Sequence, residues 1–381
     1  MSKVLFVVAS FVNFSGAEAT LADYLSRSTD DNYILIIGTN EENCALFSSF
    51  VPEDRIFFWK YSEYRNTSLT RFLLMPLEAK RVKRAFRHSD AKRWVDRIHV
   101  NAVYLNNTLE NVLFHGMFEE YPIISHVHDM VRHLRPAWGL GGARACCKSA
   151  AVLTPSDAAA RELAQCGVPK EKIHVVYNGL EFQTNPYHCS CDSGVLTVGF
   201  IGGVLRRKGF DILVQAVNQL NGKKSSLGIH TVRLLIVTNT EEDDFFGSCM
   251  RMISEEIHVE LHRKVSHSRI SELYKQIDIL LVPSRNDPAP LVVAEGISMG
   301  CCVIGSRCDG IPEMLWSEEL ICEKESADDI VKHITVWLGK TYEEQEEIVS
   351  KCQRFVQDRF SSEKKCAVVQ KLIGDVVKND P

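Results

Sequence analysis

A chain of 381 residues with 45% hydrophobic and 24% charged side chains is too long for one ordinary core and too apolar for a disordered protein, so two domains are expected. The formal net charge of −5 gives no reason to expect nucleic acid as the main partner. Thirteen cysteines without a C-x-x-C pair argue against a zinc ribbon or a thioredoxin-type redox site and suit a reducing, cytoplasmic compartment. No apolar run reaches membrane-spanning length, and the apolar start at 4–9 runs straight into a polar loop, which predicts a first strand rather than a signal peptide.

Strand-like runs at 4–9, 33–38, 56–59, 100–105, 122–127, 150–154 and 173–177 alternate with helical patterns such as 17–27, 78–86, 109–119 and 157–166. That rhythm predicts βαβ units and a parallel, doubly wound sheet. Gly16, in the turn after the first strand, lets backbone approach a phosphate at a helix N-terminus, or marks a plain βα turn. Residues 65–97 turn basic, with Arg71, Lys80, Arg81, Lys83, Arg84 and Arg87 interleaved with apolar side chains. Such a segment can lie on an anionic membrane, or pack its apolar stripe on its own domain. His126 and His128 project to one face of their strand, and His128 with Asp129 stands at the carboxyl end, where open α/β sheets bind ligands. A metal pair is another reading, without a third ligand at a recognisable spacing; for His126 a satisfied core histidine is a third.

Residues 181–194 lose periodicity, which predicts a linker at 185–194 between a first domain, 1–184, and a second, 195–358, with a final helix in 359–381. The second domain opens with a strand at 196–201, followed by Gly202, Gly203, Arg206, Arg207, Lys208 and Gly209 at the start of a helix. Glycines followed by cations there form an anion cradle that matches neither the P-loop nor the dinucleotide fingerprint. A strand at 232–238, a stretch at 259–267 leading to a helix at 268–276, and a buried strand at 277–282 follow. Next come a proline-rich loop, Pro283 to Pro290, and a helix from Leu291. Asp287 in that loop and Glu295 in the helix stand eight residues apart, placed to face one polyhydroxylated ligand.

An acidic residue, seven others and a Glu over a strand-loop-helix resembles the donor-sugar motif of family-4 retaining glycosyltransferases. The passage 151–180 resembles the end of that family's first domain, and the likeness runs through nearly the whole chain. It implies an α/β, GT-B fold: two doubly wound, Rossmann-like domains facing a central cleft, the first for the acceptor and the second for a nucleotide-sugar, with the last helix crossing back. By the same resemblance Asp287 and the backbone through Pro288, Ala289, Pro290 and Leu291 hold the sugar, and Glu295 takes the ribose diol. Arg207 and Lys208 hold the diphosphate from the Gly203 loop, with Arg206 as the alternative to Arg207. Gly16 lies near the diphosphate or the acceptor, and His128 borders the sugar at the reaction centre. Backbone at 263–265 faces the base, without separating guanine, uracil and adenine. The chain departs from the family pattern in having Asp287 where Glu is usual, and Ala289-Pro290 where an aromatic and a glycine often stand. That difference bears on donor-sugar identity more than on reaction class.

The resemblance implies same-face, retaining transfer to a saccharide or lipid-linked acceptor, with the leaving phosphate taking the acceptor proton. No Asp-x-Asp occurs, so no divalent metal and no other cofactor are expected. A sugar-nucleotide epimerase or a phosphorylase would share the fold, and a silent membrane-associated binding protein would dispense with the donor constellation.

Overall fold

Unbroken runs of Val, Ile, Leu and Phe, rather than strict alternation, form strands covered on both faces, and they build two sheets here. The computed structural model describes residues 2–10, 16–63, 74–134, 136–181, 184–189, 194–265 and 267–378. The chain divides into two compact units, Met1–Gly179 with Ser362–Pro381, and Leu180–Ser361.

The first unit carries β1 (Lys3–Ser10), β2 (Asp31–Gly38), β3 (Ile56–Lys60), β4 (Ala102–Leu105), β5 (Ile123–His126), β6 (Ala151–Thr154) and β7 (Ile173–Val175). They pair in parallel in the order β3-β2-β1-β4-β5-β6-β7. The order turns back between β1 and β4, the switch point at whose carboxyl side ligands enter. On β1, Val4, Phe6 and Val8 join one core with Leu21, Ile34 and Ile36, and with Val369 and Ile373 of the last helix, Ser362–Lys378. Leu5, Val7 and Ala9 point the other way, into a core with Phe86, Trp94, Phe114 and Phe118. Each such large side chain contributes about 1.5–3 kcal/mol by leaving water. Lys365 on the last helix is buried, donates to Thr20 O at 2.5 Å and pairs with Asp23 at 3.1 Å.

The second unit repeats the winding with β8 (Val195–Ile201), β9 (Thr231–Thr238), β10 (His258–Arg263), β11 (Ile279–Val282), β12 (Cys302–Ser306) and β13 (Ile321–Cys322), in the order β10-β9-β8-β11-β12-β13. Here the switch falls between β8 and β11. The two loops that carry Arg207 and Asp287 leave the carboxyl ends of these adjacent strands. Residues 190–193 of the expected linker lie outside the described residues, but Tyr187 is docked within this unit. Its hydroxyl donates to Gln345 at 2.7 Å, and its ring packs on Tyr342 and Trp337.

The basic segment resolves into two helices, Met75–Phe86 and Asp90–Ile98, with 64–73 outside the described residues. Ser89 starts the second by accepting the Lys92 amide at 3.2 Å. Met75, Val82, Phe86 and Trp94 face the unit's own core, which leaves Leu77 exposed. Lys83 pairs with Glu119 at 2.8 Å and Lys92 with Glu120 at 3.0 Å, so part of the positive charge is matched locally. The helix expected at 109–119 stops at Phe114 and tightens into a 3-10 turn, His115–Met117, around Gly116, a poor helix former. A helix at Pro136–Lys148 escaped the sequence pattern because three glycines and an opening proline dilute its periodicity. Among the described residues no helix is long and apolar enough to cross a membrane.

Candidate functional site

In the second unit the glycines after β8 are needed for geometry. Gly202 has φ +142° and Gly209 has φ +71°; a Cβ on Gly209 would stand 1.9 Å from Pro283 O. Glycine therefore lets the β8 loop touch the β11 loop backbone to backbone. The contact is completed by Arg207 O, which accepts from Arg285 N at 2.7 Å and Asn286 N at 3.2 Å. Val204 N donates to Thr240 Oγ1 at 2.9 Å, fixing the start of the turn.

Three cations follow, each with a different fate. Arg206 lies over the Phe245 ring at 5.0 Å. Arg207 is exposed, and among the described residues its guanidinium has no hydrogen bond or ion pair. Lys208 forms an ion pair with Asp287, whose side chain is only 7% exposed. Asp287 is fixed further by Ser284 Oγ, by its own amide donating to Asp309 Oδ2 at 2.9 Å, and by Gly310 N donating to its carbonyl at 3.2 Å. Asp309 manages this from a left-handed conformation, φ +45°, and also accepts from Asn286 Nδ2 at 3.1 Å.

Arg285, which the sequence did not single out, clamps the two loops. Its guanidinium takes both Asp211 oxygens, at 2.7 and 2.9 Å, and donates to Arg206 O at 2.7 Å. Burial alone would raise the Asp211 carboxyl, but the Arg285 bonds outweigh it and hold it below its ordinary value. Such bidentate pairing gives geometric specificity as well as energy.

The loop then enters the helix Leu291–Ser298 behind Pro290, with Ala289 and Pro290 buried and Pro288 and Leu291 half-buried. Glu295, one turn in, accepts from the Tyr274 hydroxyl at 2.7 Å. Lys208, Asp287 and the Arg207 backbone thus form one bonded cluster. Lys264, in the stretch expected to face a base, has φ +51°, and its amide donates to Asn239 at 2.9 Å.

In the first unit, Gly16 opens the helix Gly16–Leu25 and is exposed, with open space where a Cβ would stand; 13–15 of the same turn lie outside the described residues. His128 lies just past β5 with its ring 3.8 Å from that of His126. His126 Nδ1 bonds Tyr104 OH at 2.6 Å, whereas the Nε2 atoms of both histidines are buried without a hydrogen-bond partner. Burial, then the nearby Lys365 charge, pulls His128 down to about 3, so it is a neutral imidazole at pH 7.

Glu110, at the carboxyl side of β4, is 1% exposed. One carboxyl oxygen accepts the Ala9 amide at 2.8 Å and the other is buried and unpartnered. Burial pushes it up to about 8, against the Ala9 bond and with help from Glu18 and Asp129, so it is a neutral acid at pH 7. The sequence concealed it as an ordinary acidic residue in a first helical turn. Asn106 Oδ1 and Thr108 Oγ1, just past β4, and Thr154 Oγ1, on the last residue of β6, are buried without partners too. Buried polar atoms are seldom left so, and with Glu110 and His128 these gather at the carboxyl side of one sheet. Among the described residues no three His, Cys, Asp or Glu side chains are arranged to hold a metal ion. A cavity of about 460 Å³, lined by His115, Glu119, Lys148 and Lys172, lies instead at the amino ends of β5 and β6, remote from the chemistry of either switch point.

Residues 38–183 match the family described as Glycosyltransferase Family 4, and 195–340 match Glycosyl transferases group 1. An uncharacterized glycosyltransferase of Methanocaldococcus jannaschii is 23% identical over 184 residues, 45% of this chain and 46% of the relative. A second from the same organism is 22% identical over 209 residues, 54% and 55% of the two chains. The chain thus spans about half the length of the curated relatives it matches. Among solved structures, Anabaena HepE in complex with UDP superposes with a TM-score of 0.74 at 18% identity, covering 98% of this chain and 100% of that one. Sucrose-phosphate synthase from Thermosynechococcus elongatus gives 0.74 at 16% identity, covering 98% of each. These likenesses are of fold, and the fold is GT-B. With two family matches side by side, one on each sheet, the chain belongs to the family-4, group 1 glycosyltransferases.

Proposed function

We propose that the protein is a retaining glycosyltransferase that moves a sugar from a nucleotide-diphosphate donor to a hydroxyl acceptor without a divalent metal. The observation that carries this reading is the exposed Arg207 beside the Lys208–Asp287 pair, at the carboxyl ends of β8 and β11. Breaking the glycosidic bond leaves negative charge on the diphosphate. Fixed cations preorganised where that charge develops lower the barrier without reorganising during reaction. Arg207 is the cation available for the phosphates, and Lys208 bridges phosphate and Asp287, which positions the sugar hydroxyls. The backbone from Pro288 to Leu291 closes around the sugar, and Glu295 takes the ribose diol. Neutral His128 borders the reacting centre and hydrogen-bonds without adding charge. The absence of an Asp-x-Asp motif supports cation-only charge stabilisation. The acceptor's proton passes to the leaving phosphate on the same face of the sugar, which retains configuration.

The HepE structures hold UDP and UDP-glucose, which makes a uridine donor the first to try. The acceptor is a saccharide, free or lipid-linked. A membrane surface would be met by exposed Leu77, Lys80, Arg84 and Arg87. The twelve described cysteines are free thiols, which suits a cytoplasmic site of action. The test is nucleoside-diphosphate release from UDP-, GDP- and ADP-sugars over a panel of saccharide acceptors in EDTA, with the product anomer read by NMR. Retained configuration and EDTA-resistant turnover are expected; an inverted product, or turnover that needs added metal, would refute the proposal.

A further inference from the structure

The hydrogen bond from Tyr274 to Glu295 ties the nucleotide side of this site to the interior of the second unit. Tyr274 ends the helix His267–Tyr274 and is 2% exposed. Its hydroxyl donates to Glu295 Oε2 at 2.7 Å, while its carbonyl accepts from Ile277 N at 3.0 Å and from Cys301 Sγ at 3.3 Å. Both ends of the residue are therefore fixed, one by backbone and thiol, the other by a carboxylate on a different helix. Resting on the donor-site reading above, we propose that Tyr274 is a positioning residue for nucleotide recognition: it locks the Glu295 carboxylate in the one orientation that receives both hydroxyls of a ribose diol.

A glutamate side chain free in solvent samples many rotamers, and binding must select among them. A buried phenol that donates to one oxygen makes that selection in advance, so a diol meets acceptors already aimed. Burial, with the Glu295 charge adding to it, holds the phenol far above its ordinary range, so Tyr274 stays a donor at every physiological pH. The role is one of orientation, and the phenol itself need not touch the ligand. Phe at this position would keep the packing and leave Glu295 with one bond fewer.

The test is calorimetric titration of wild type and Tyr274→Phe with UDP, GDP and ADP and their 2′,3′-dideoxy counterparts, with thermal midpoints measured alongside. Wild type should prefer one ribonucleotide over its dideoxy form by about tenfold or more, and Tyr274→Phe should lose most of that preference through weaker ribonucleotide binding alone. If Tyr274→Phe keeps the full preference, the positioning role is wrong while the Glu295 assignment stands. Equal weakening of both nucleotide forms assigns Tyr274 a purely structural role and also overturns the proposal. If wild type binds nucleotides without any ribose preference, the Glu295 assignment itself fails, and the positioning role with it.

Discussion

The two units are wound alike, yet the carboxyl ends of their sheets are built from opposite materials. In the second unit the switch point is charged and bonded throughout: Lys208 to Asp287, Arg285 to Asp211, Asp309 to the Asp287 amide, with Arg207 left exposed. In the first, Glu110 and His128 are buried and neutral at pH 7, and one polar atom of each lacks a partner. An edge of fixed charges holds an anion at little reorganisation cost. An edge of neutral, unpartnered donors and acceptors suits hydroxyl groups, which supply the missing bonds without importing charge. One architecture thus presents two different linings at the carboxyl ends of its strands.

The largest expected effect tests the neutral edge. Glu110 is raised above its unfolded value of 4.5 to about 8, so between those pH values the unfolded chain loses a proton that the folded one keeps, and stability falls as pH rises. At about 1.4 kcal/mol per unit the loss is at most about 5 kcal/mol by pH 8. Chemical denaturation at pH 5 and pH 8 should show Glu110→Gln losing much less stability than wild type; an identical fall would mean that Glu110 is ionised in the fold. The histidines make the opposite limb. His128, lowered from 6.5 to about 3, stabilises the fold above its unfolded value and withdraws that contribution as pH drops. His128→Gln should therefore flatten the acid side of the same profile.

The contact between loops in the second unit is tested by Gly209→Ala, which forces a Cβ to 1.9 Å from Pro283 O at φ +71°. Roughly 3 kcal/mol of stability should be lost, together with nucleotide binding; a variant as stable as wild type would show that the loops separate freely. Arg207→Ala should leave the thermal midpoint unchanged and weaken nucleotide-sugar binding by about tenfold to hundredfold, as expected for a charge-assisted bond. The smallest effect belongs to Arg206→Ala: loss of its stacking on Phe245 costs about 0.5–1 kcal/mol of stability, with donor affinity nearly untouched. A larger affinity loss at Arg206 than at Arg207 would exchange their roles.

Strands were legible in the sequence because parallel strands are written as short apolar runs, and the runs at 4–9 and 196–201 each fall within an observed strand. The residues of the β11 loop stood out because Asp287 and Glu295 are close in sequence. What stayed hidden depends on long-range placement. Arg285 and Asp211 are 74 residues apart, and Lys208 and Asp287 are 79 apart, so their pairing exists only once β8 and β11 lie side by side. Tyr274 and Glu110 were hidden for a different reason. An aromatic at a helix end and an acid in a first turn are commonplace, and only burial with a specific partner, or the lack of one, sets them apart.

The most direct test is a thermal-shift series on wild type, Arg207→Ala and His128→Gln against UDP-, GDP-, ADP- and dTDP-sugars in EDTA. A ligand that binds only the folded state adds about 2.7 kcal/mol of stability at a hundredfold excess over its dissociation constant. One nucleotide class should raise the wild-type midpoint, nearly as much in His128→Gln, and far less in Arg207→Ala. If no nucleotide-sugar moves the midpoint with or without divalent metal, or if Arg207→Ala responds as wild type does, the charged edge of the second unit is not a donor site.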